Sequence, residues 1–201
     1  MTSQPPALPL TKAAFDHPPT ALGHQHLVIK RWAWLVVVVS LAAASAYVCA
    51  SQPLSKSIGF ILVNLVVFPL MLFATLLALR RTRRVADILR TYPWRAYPCE
   101  YPHRSTESPK VIMIRFANDY TPVLRFTPFS VHLAQKQNLH PDMIWFVGDP
   151  RYGGVVSPVG GHFPVRVVLE SMDQTVPDST PEDDSLAERA GLVRNGRVRT
   201  T

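Results

Sequence analysis

Charge is scarce in this chain, and the scarcity is local. Residues 32–79 hold a single charged side chain, Lys56, and charged residues make up 17% of the whole sequence, against about 25% in soluble domains. An ordinary soluble globule of this length is excluded. Cysteine is nearly absent, with two residues, so a disulfide scaffold is excluded as well. No Gly-X-Y repeat and no sustained heptad run is present, which removes collagen and a long coiled coil. No histidine–cysteine set has zinc spacing.

What is present is two long apolar blocks. The first, residues 32–50 (WAWLVVVVSLAAASAYVCA), would reach about 28 Å as a helix. The second, residues 58–79 (IGFILVNLVVFPLMLFATLLAL), would reach about 33 Å. Both match the hydrocarbon thickness of a bilayer. Backbone amides in lipid must be paired within the segment, so both blocks are expected to be helices. Trp32, Trp34 and Tyr47 stand where interfacial aromatics are expected. Neither block contains Asp, Glu, His, Lys or Arg, groups that proton relays, ion pathways and voltage sensors need.

Segment charges set the orientation. Residues 80–110 carry eight basic and three acidic side chains, whereas residues 172–201 carry four basic and six acidic ones. Lys30 and Arg31 precede the first block, and Arg80, Arg81, Arg83 and Arg84 follow the second. The link at 51–57 holds only Lys56. Positive charge stays in the cytoplasm, so both termini are expected there and the link outside. The same six residues are candidate contacts to anionic lipid headgroups. So local a cluster is not the signature of a nucleic-acid-binding domain, and no nucleic-acid partner is expected. Val48, Cys49 and Ala50 before Ser51 loosely fit a signal-peptidase site, but the apolar run is longer than a signal peptide needs.

Ser40/Ala44 and Ala42/Ala46 have the spacing that lets helices approach closely, either in one hairpin or in a homodimer. Asn64 is expected to hydrogen-bond across the hairpin to Ser40 or Ser45, and Pro69 to kink the second helix.

Residues 1–30 read as a disordered cytoplasmic arm, rich in Pro, Thr and Ala and carrying His17, His24 and His26. Without acidic or thiol partners these histidines do not make a metal site. Residues 31–84 are the transmembrane hairpin. Residues 92–102 (YPWRAYPCEYP) are aromatic and proline-rich, and Trp94 and Tyr97 are expected to pack on the sheet that follows. Strand patterns then occupy 111–117, 123–129, 143–148, 154–157 and 164–170, with a turn at 118–121 and a helical turn or loop at 130–138. Residues 85–171 are therefore expected to form a small β-rich cytoplasmic domain, an antiparallel sheet or open barrel. Residues 172–201 read as a polar tail with a short helix at 181–190, capped by Thr180 and stopped by Gly191.

Two stretches invite chemistry. Residues 148–161 (GDPRYGGVVSPVGG) hold Asp149, Arg151, Gly153 and Gly154, a speculative ligand loop. The stretch matches neither the dinucleotide nor the P-loop fingerprint. Turn chemistry between strands is the plainer reading, and it makes Arg151 an exposed turn residue of little consequence for stability. Ser157, His162 and Asp149 could be imagined as a triad, but Ser157 lacks the G-x-S-x-G elbow. Cys99 lies beside Arg95 and Glu100, an inert thiol rather than a nucleophile. No catalytic residue, cofactor or metal is assigned.

The feature order resembles small two-span integral membrane proteins of streptomycete-type actinobacteria, a family with no assigned activity. The residues that carry it are the two spans, the arginines at 80–84, Leu89-Arg90-Thr91-Tyr92-Pro93-Trp94, Tyr97-Pro98-Cys99, and the run from Ile144 to Gly154. It covers residues 32–170 and implies a bacterial cytoplasmic membrane and this modular plan. The expected role is a non-enzymatic interaction domain held at the bilayer, for a protein partner or a second copy. The alternative is a tethered enzyme or ligand-binding domain that uses the 148–161 loop.

Overall fold

The computed structural model describes residues 12–51, 54–100, 111–116, 120–127, 140, 142–170 and 181–193. The chain divides into two units. One is residues 25–83; the other joins the residues up to His24 to those from Arg84 onward.

The apolar blocks lie in two helices, α1 (Pro18–Ser51) and α2 (Leu54–Thr91), both long and apolar enough to cross a membrane. In the 25–83 unit most large apolar side chains face outward: Leu65 is 75% exposed and Leu70 66%. In the 25–83 unit the less exposed positions of α1 include 28, 31, 35, 38, 42, 45 and 49, and those of α2 include 64, 68, 71, 75, 78 and 82. Alternating steps of four and three are the spacing of a helix–helix seam. Asn64 Nδ2 donates to Ser45 Oγ at 2.7 Å and lies 3.6 Å from Cys49 Sγ, one of the two bonds expected from sequence. Thr75 and Thr82 are buried and donate back to Met71 O and Ala78 O, so their hydroxyls are satisfied within α2. The small-residue stripe departs from the hairpin-packing expectation. Ala42 is on the seam, but Ser40, Ala44 and Ala46 are exposed, because the seam follows the heptad rather than the smallest side chains. Pro69 lies inside α2.

The other unit contains six antiparallel strands: β1 (Arg95–Glu100), β2 (Val111–Ile114), β3 (Val123–Thr127), β4 (Met143–Asp149), β5 (Gly153–Ser157) and β6 (Val165–Leu169). They close into a barrel in the order β1-β2-β3-β6-β5-β4. β4 returns beside β1, which makes the first four strands a Greek key. The barrel is two three-stranded meanders, joined antiparallel first strand to first and third to third. Closure corrects the sequence expectation of an open barrel or sheet, and the strand that closes it, β1, carries no strand pattern in sequence. β1 pairs with β4 through residues 95–98 and with β2 through residues 99–100. Pro98 sits where pairing passes from one neighbour to the other, a position that tolerates a residue without an N–H.

Alternation along the strands builds two cores. Inward, Ile112, Ile114, Leu124, Phe126, Ile144, Phe146, Val156 and Val167 fill the barrel. Outward, Trp145 and Val147 of β4 and Val155 of β5 meet Val85, Ile88 and Leu89 from the end of α2, with Ala14, Trp94 and Ala190. β4 and β5 are buried on both faces, so they read as unbroken apolar runs.

The expectation of a disordered arm is corrected here, whereas the short helix expected near 181–190 is present. Part of the supposed disordered arm is ordered: residues 14–16 form a 3-10 turn, α1 starts at Pro18, and Ala14, Thr20 and His24 are buried. Two contacts hold it. Ala14 N–H donates to Tyr92 O at 2.9 Å, and Trp94 Nε1–H donates to Thr20 Oγ1 at 3.0 Å. The tail's helix α3 (Pro181–Arg189) ends in buried Ala187 and Ala190, with Gly191 at φ 64° and Leu192 N–H donating to Ala187 O. That is a glycine-stopped C-cap docked by its apolar end. Residues 118–119 of the expected turn at 118–121 fall outside the described residues, as do the segment 130–138, Thr180 and link positions 52–53.

Candidate functional site

The β4–β5 hairpin holds the conspicuous loop. Asp149 pairs with Gly153 and Gly148 with Gly154, so only Pro150, Arg151 and Tyr152 form the connection. Asp149 closes the turn twice: its carbonyl accepts from Tyr152 N–H at 3.1 Å, and its Oδ1 accepts from Arg151 N–H at 2.9 Å. Gly153 has φ 100°, the left-handed residue that a three-residue hairpin loop requires. Gly154 is a strand residue on which a Cβ would strike the Val147 carbonyl oxygen. These glycines serve close strand approach rather than a phosphate cradle.

Arg151 is not the exposed turn residue expected from sequence. Its side chain is 11% exposed. Nε donates to both Asp149 oxygens at 3.0 and 3.1 Å, and Nη2 to Oδ2 at 2.6 Å. Its remaining fork nitrogen, Nη1, reaches Asp184 Oδ1 of α3 at 2.8 Å. Hydrogen bonding to Asp149 raises the guanidinium pKa, outweighing the lowering by burial. The loop's one cation is thus committed to two carboxylates, and its planar fork pins α3 to the barrel. Beside it, burial and then the charges of Asp149 and Asp183 push the Tyr92 phenol up to about 12, so it stays protonated.

The imagined triad is not assembled as a nucleophile and base. Ser157 Oγ, fully buried, accepts from Phe163 N–H at 3.1 Å, while Asp149 is held by Arg151. Cys99 is buried in the barrel wall and Cys49 lies on α1; neither forms a disulfide. Among the described residues no group of three His, Cys, Asp or Glu could hold a metal ion.

The N-terminal histidines part company. His17 Nδ1 lies 3.3 Å from Thr20 Oγ1, and its ring meets Trp145 edge-on at 5.5 Å. Because Trp94 already donates to Thr20, the hydroxyl's own hydrogen can serve the neutral imidazole. Burial lowers the His17 pKa accordingly. His24 packs edge-on against Phe15 at 5.6 Å, and His26 is exposed. Sequence reading missed the His17–Thr20–Trp94–Trp145 cluster. Pro18 as a first helical residue was the available signal.

One surface recess of about 210 Å³ opens near Cys99, Met113 and Thr121, rimmed by Glu100, Arg115 and Asp142. That is smaller than the roughly 300–1,000 Å³ of small-molecule sites. The 3.3 Å Arg115–Glu100 pair on its rim is 60% and 68% exposed, so water screens it.

Of the six basic residues marked at the helix ends, Lys30, Arg80, Arg81, Arg83 and Arg84 are exposed and Arg31 is half-buried. Arg31 and Arg81 lie within electrostatic reach of each other. Comparison with protein families, curated proteins and solved structures finds no match.

Proposed function

We propose that the chain is a two-span protein of a bacterial cytoplasmic membrane, with both termini and the β-barrel in the cytoplasm. In this reading the barrel is a non-enzymatic interaction module for a protein partner or a second copy. The observation that carries it is the outward apolar surface of α1 and α2. Leu65, Leu70 and Phe73 are each at least 60% exposed, a surface that water penalises and lipid accommodates. The positive charge at one end of the hairpin supports the orientation. The filled barrel interior, and the commitment of Asp149, Arg151 and Ser157 to structural bonds, favour binding through an outer surface over turnover in a pocket.

Reporter fusions after residues 54 and 175 are expected to report outside and inside respectively. An inside signal at 54 overturns the orientation. Cross-linking the full chain in its own membrane, followed by purification in mild detergent, tests the role. Stoichiometric recovery of one partner, or of a differently tagged second copy, is expected. A chain recovered alone and monomeric refutes it.

A further inference from the structure

No acidic residue occurs between Asp16 and Asp87, so the stretch that holds both apolar blocks and their flanking cations contains no carboxylate; the first one along α2 is Asp87. Yet the heptad seam of α1 includes a guanidinium. Arg31 lies on it between position 28 and positions 35, 38, 42, 45 and 49. The 45–64 hydrogen bond and the 31–81 proximity run in opposite senses along the chain, so the helices are antiparallel and both cationic ends coincide. Arg31 is half-buried there, within electrostatic reach of the exposed Arg81, and Lys30 and Arg80, their chain neighbours, are exposed. Among the described residues no ion pair involves any of the four. Trp32 and Trp34, 51% and 53% exposed, follow directly, as expected at headgroup depth.

Two guanidiniums brought together, one of them half-buried, repel one another. An anion between them converts that repulsion into two attractions, and phosphate matches the guanidinium fork. Four cations in one place exceed what a single phosphate balances. We infer that Arg31 and Arg81, flanked by Lys30 and Arg80, clamp a phospholipid headgroup bearing two phosphates between α1 and α2. The inference rests on the membrane reading above and deepens it from general attraction to a site with a preferred lipid chemistry.

The test uses the full chain in neutral detergent, with cardiolipin, phosphatidylglycerol, phosphatidylcholine or inorganic pyrophosphate added. Native mass spectrometry reads binding and thermal melts read stability. Cardiolipin is expected to bind about tenfold or more tighter than phosphatidylglycerol, and phosphatidylcholine not to bind specifically. Arg31→Gln and Arg81→Gln should each lose about tenfold in cardiolipin affinity. Each should also melt higher than the parent without lipid, because the repulsion is relieved. A merely structural arginine would not give that pair of opposite effects. Arg31→Lys should fall between, and Arg125→Gln on β3 should match the parent. Equal binding of cardiolipin and phosphatidylcholine, or unchanged affinity in both glutamine variants, overturns the site. Pyrophosphate binding as tight as cardiolipin overturns the lipid assignment in favour of a soluble phosphate. A chain that purifies without detergent refutes the membrane reading itself, whereas one that needs detergent yet shows no two-phosphate preference refutes this inference alone.

Discussion

Replacing Arg151 with alanine is the sharpest perturbation of the barrel unit. The Asp149 side chain is 6% exposed and would keep only the backbone N–H of residue 151 as a donor. Breaking a buried pair by removing one partner costs about 3–5 kcal/mol. The surviving backbone bond places this case at the lower end, about 3 kcal/mol. The other carboxylate behaves differently: Asp184 is 55% exposed, so Asp184→Asn should cost only about 0.5 kcal/mol. The double change Asp149→Asn with Arg151→Met removes charge from both sides and should recover most of the loss. Chemical denaturation of the full chain in detergent, followed by near-ultraviolet circular dichroism of the buried Trp94 and Trp145, measures all three. A loss below about 0.5 kcal/mol in Arg151→Ala, or Asp184→Asn as damaging as Arg151→Ala, would refute the reasoning and return Arg151 to the status of a solvated turn residue.

Two further outcomes use the same assay. Gly154→Ala should cost about 3 kcal/mol or more, since backbone must move to admit the methyl group beside Val147 O; Gly160→Ala, at φ 104° with only His162 Nδ1 at 3.5 Å, should cost about 1 kcal/mol. Equal losses at the two sites would contradict the close-approach argument. For pH, His17 has a folded pKa below its ordinary 6.5 because burial disfavours the cation. Protons therefore favour the unfolded chain, and the His17 contribution is fully present above pH 6.5 and lost as pH falls from there through the folded pKa. His17→Gln should flatten that part of the stability–pH curve, and an unchanged slope would show that another group is responsible.

The helices, β4, β5 and α3 were legible because each is signalled locally. The apolar blocks of α1 and α2 are long uninterrupted runs, β4 and β5 are buried on both faces, and α3 carries its acids early and Gly191 at its stop. β1 was illegible because Pro98 breaks the pattern at the point where its partner changes. Barrel closure is a non-local property, and nothing in residues 95–100 announces that β2 and β4 flank them. The committed state of Arg151 was hidden for the same reason. Asp149 is two residues away, but Asp184 arrives from the tail. Asn64, by contrast, was readable because a lone amide in an apolar helix has few partners within reach.

The barrel unit is discontinuous, assembled from chain on both sides of the 25–83 segment. The Thr20–Trp94 bond joins residues 74 apart, and Ala14–Tyr92 joins a similar interval. In kinetic language these are high-contact-order closures, formed late because the intervening loop's entropy opposes them. During synthesis residues 14–20 leave the ribosome long before Trp94 exists, and both apolar helices are made in the interval. Docking of residues 14–20 therefore waits until the chain past Trp94 has been made. A fragment beginning at residue 85 would lack the segment that covers Trp94 and Trp145, so a barrel expressed alone is expected to expose that aromatic face and to associate through it.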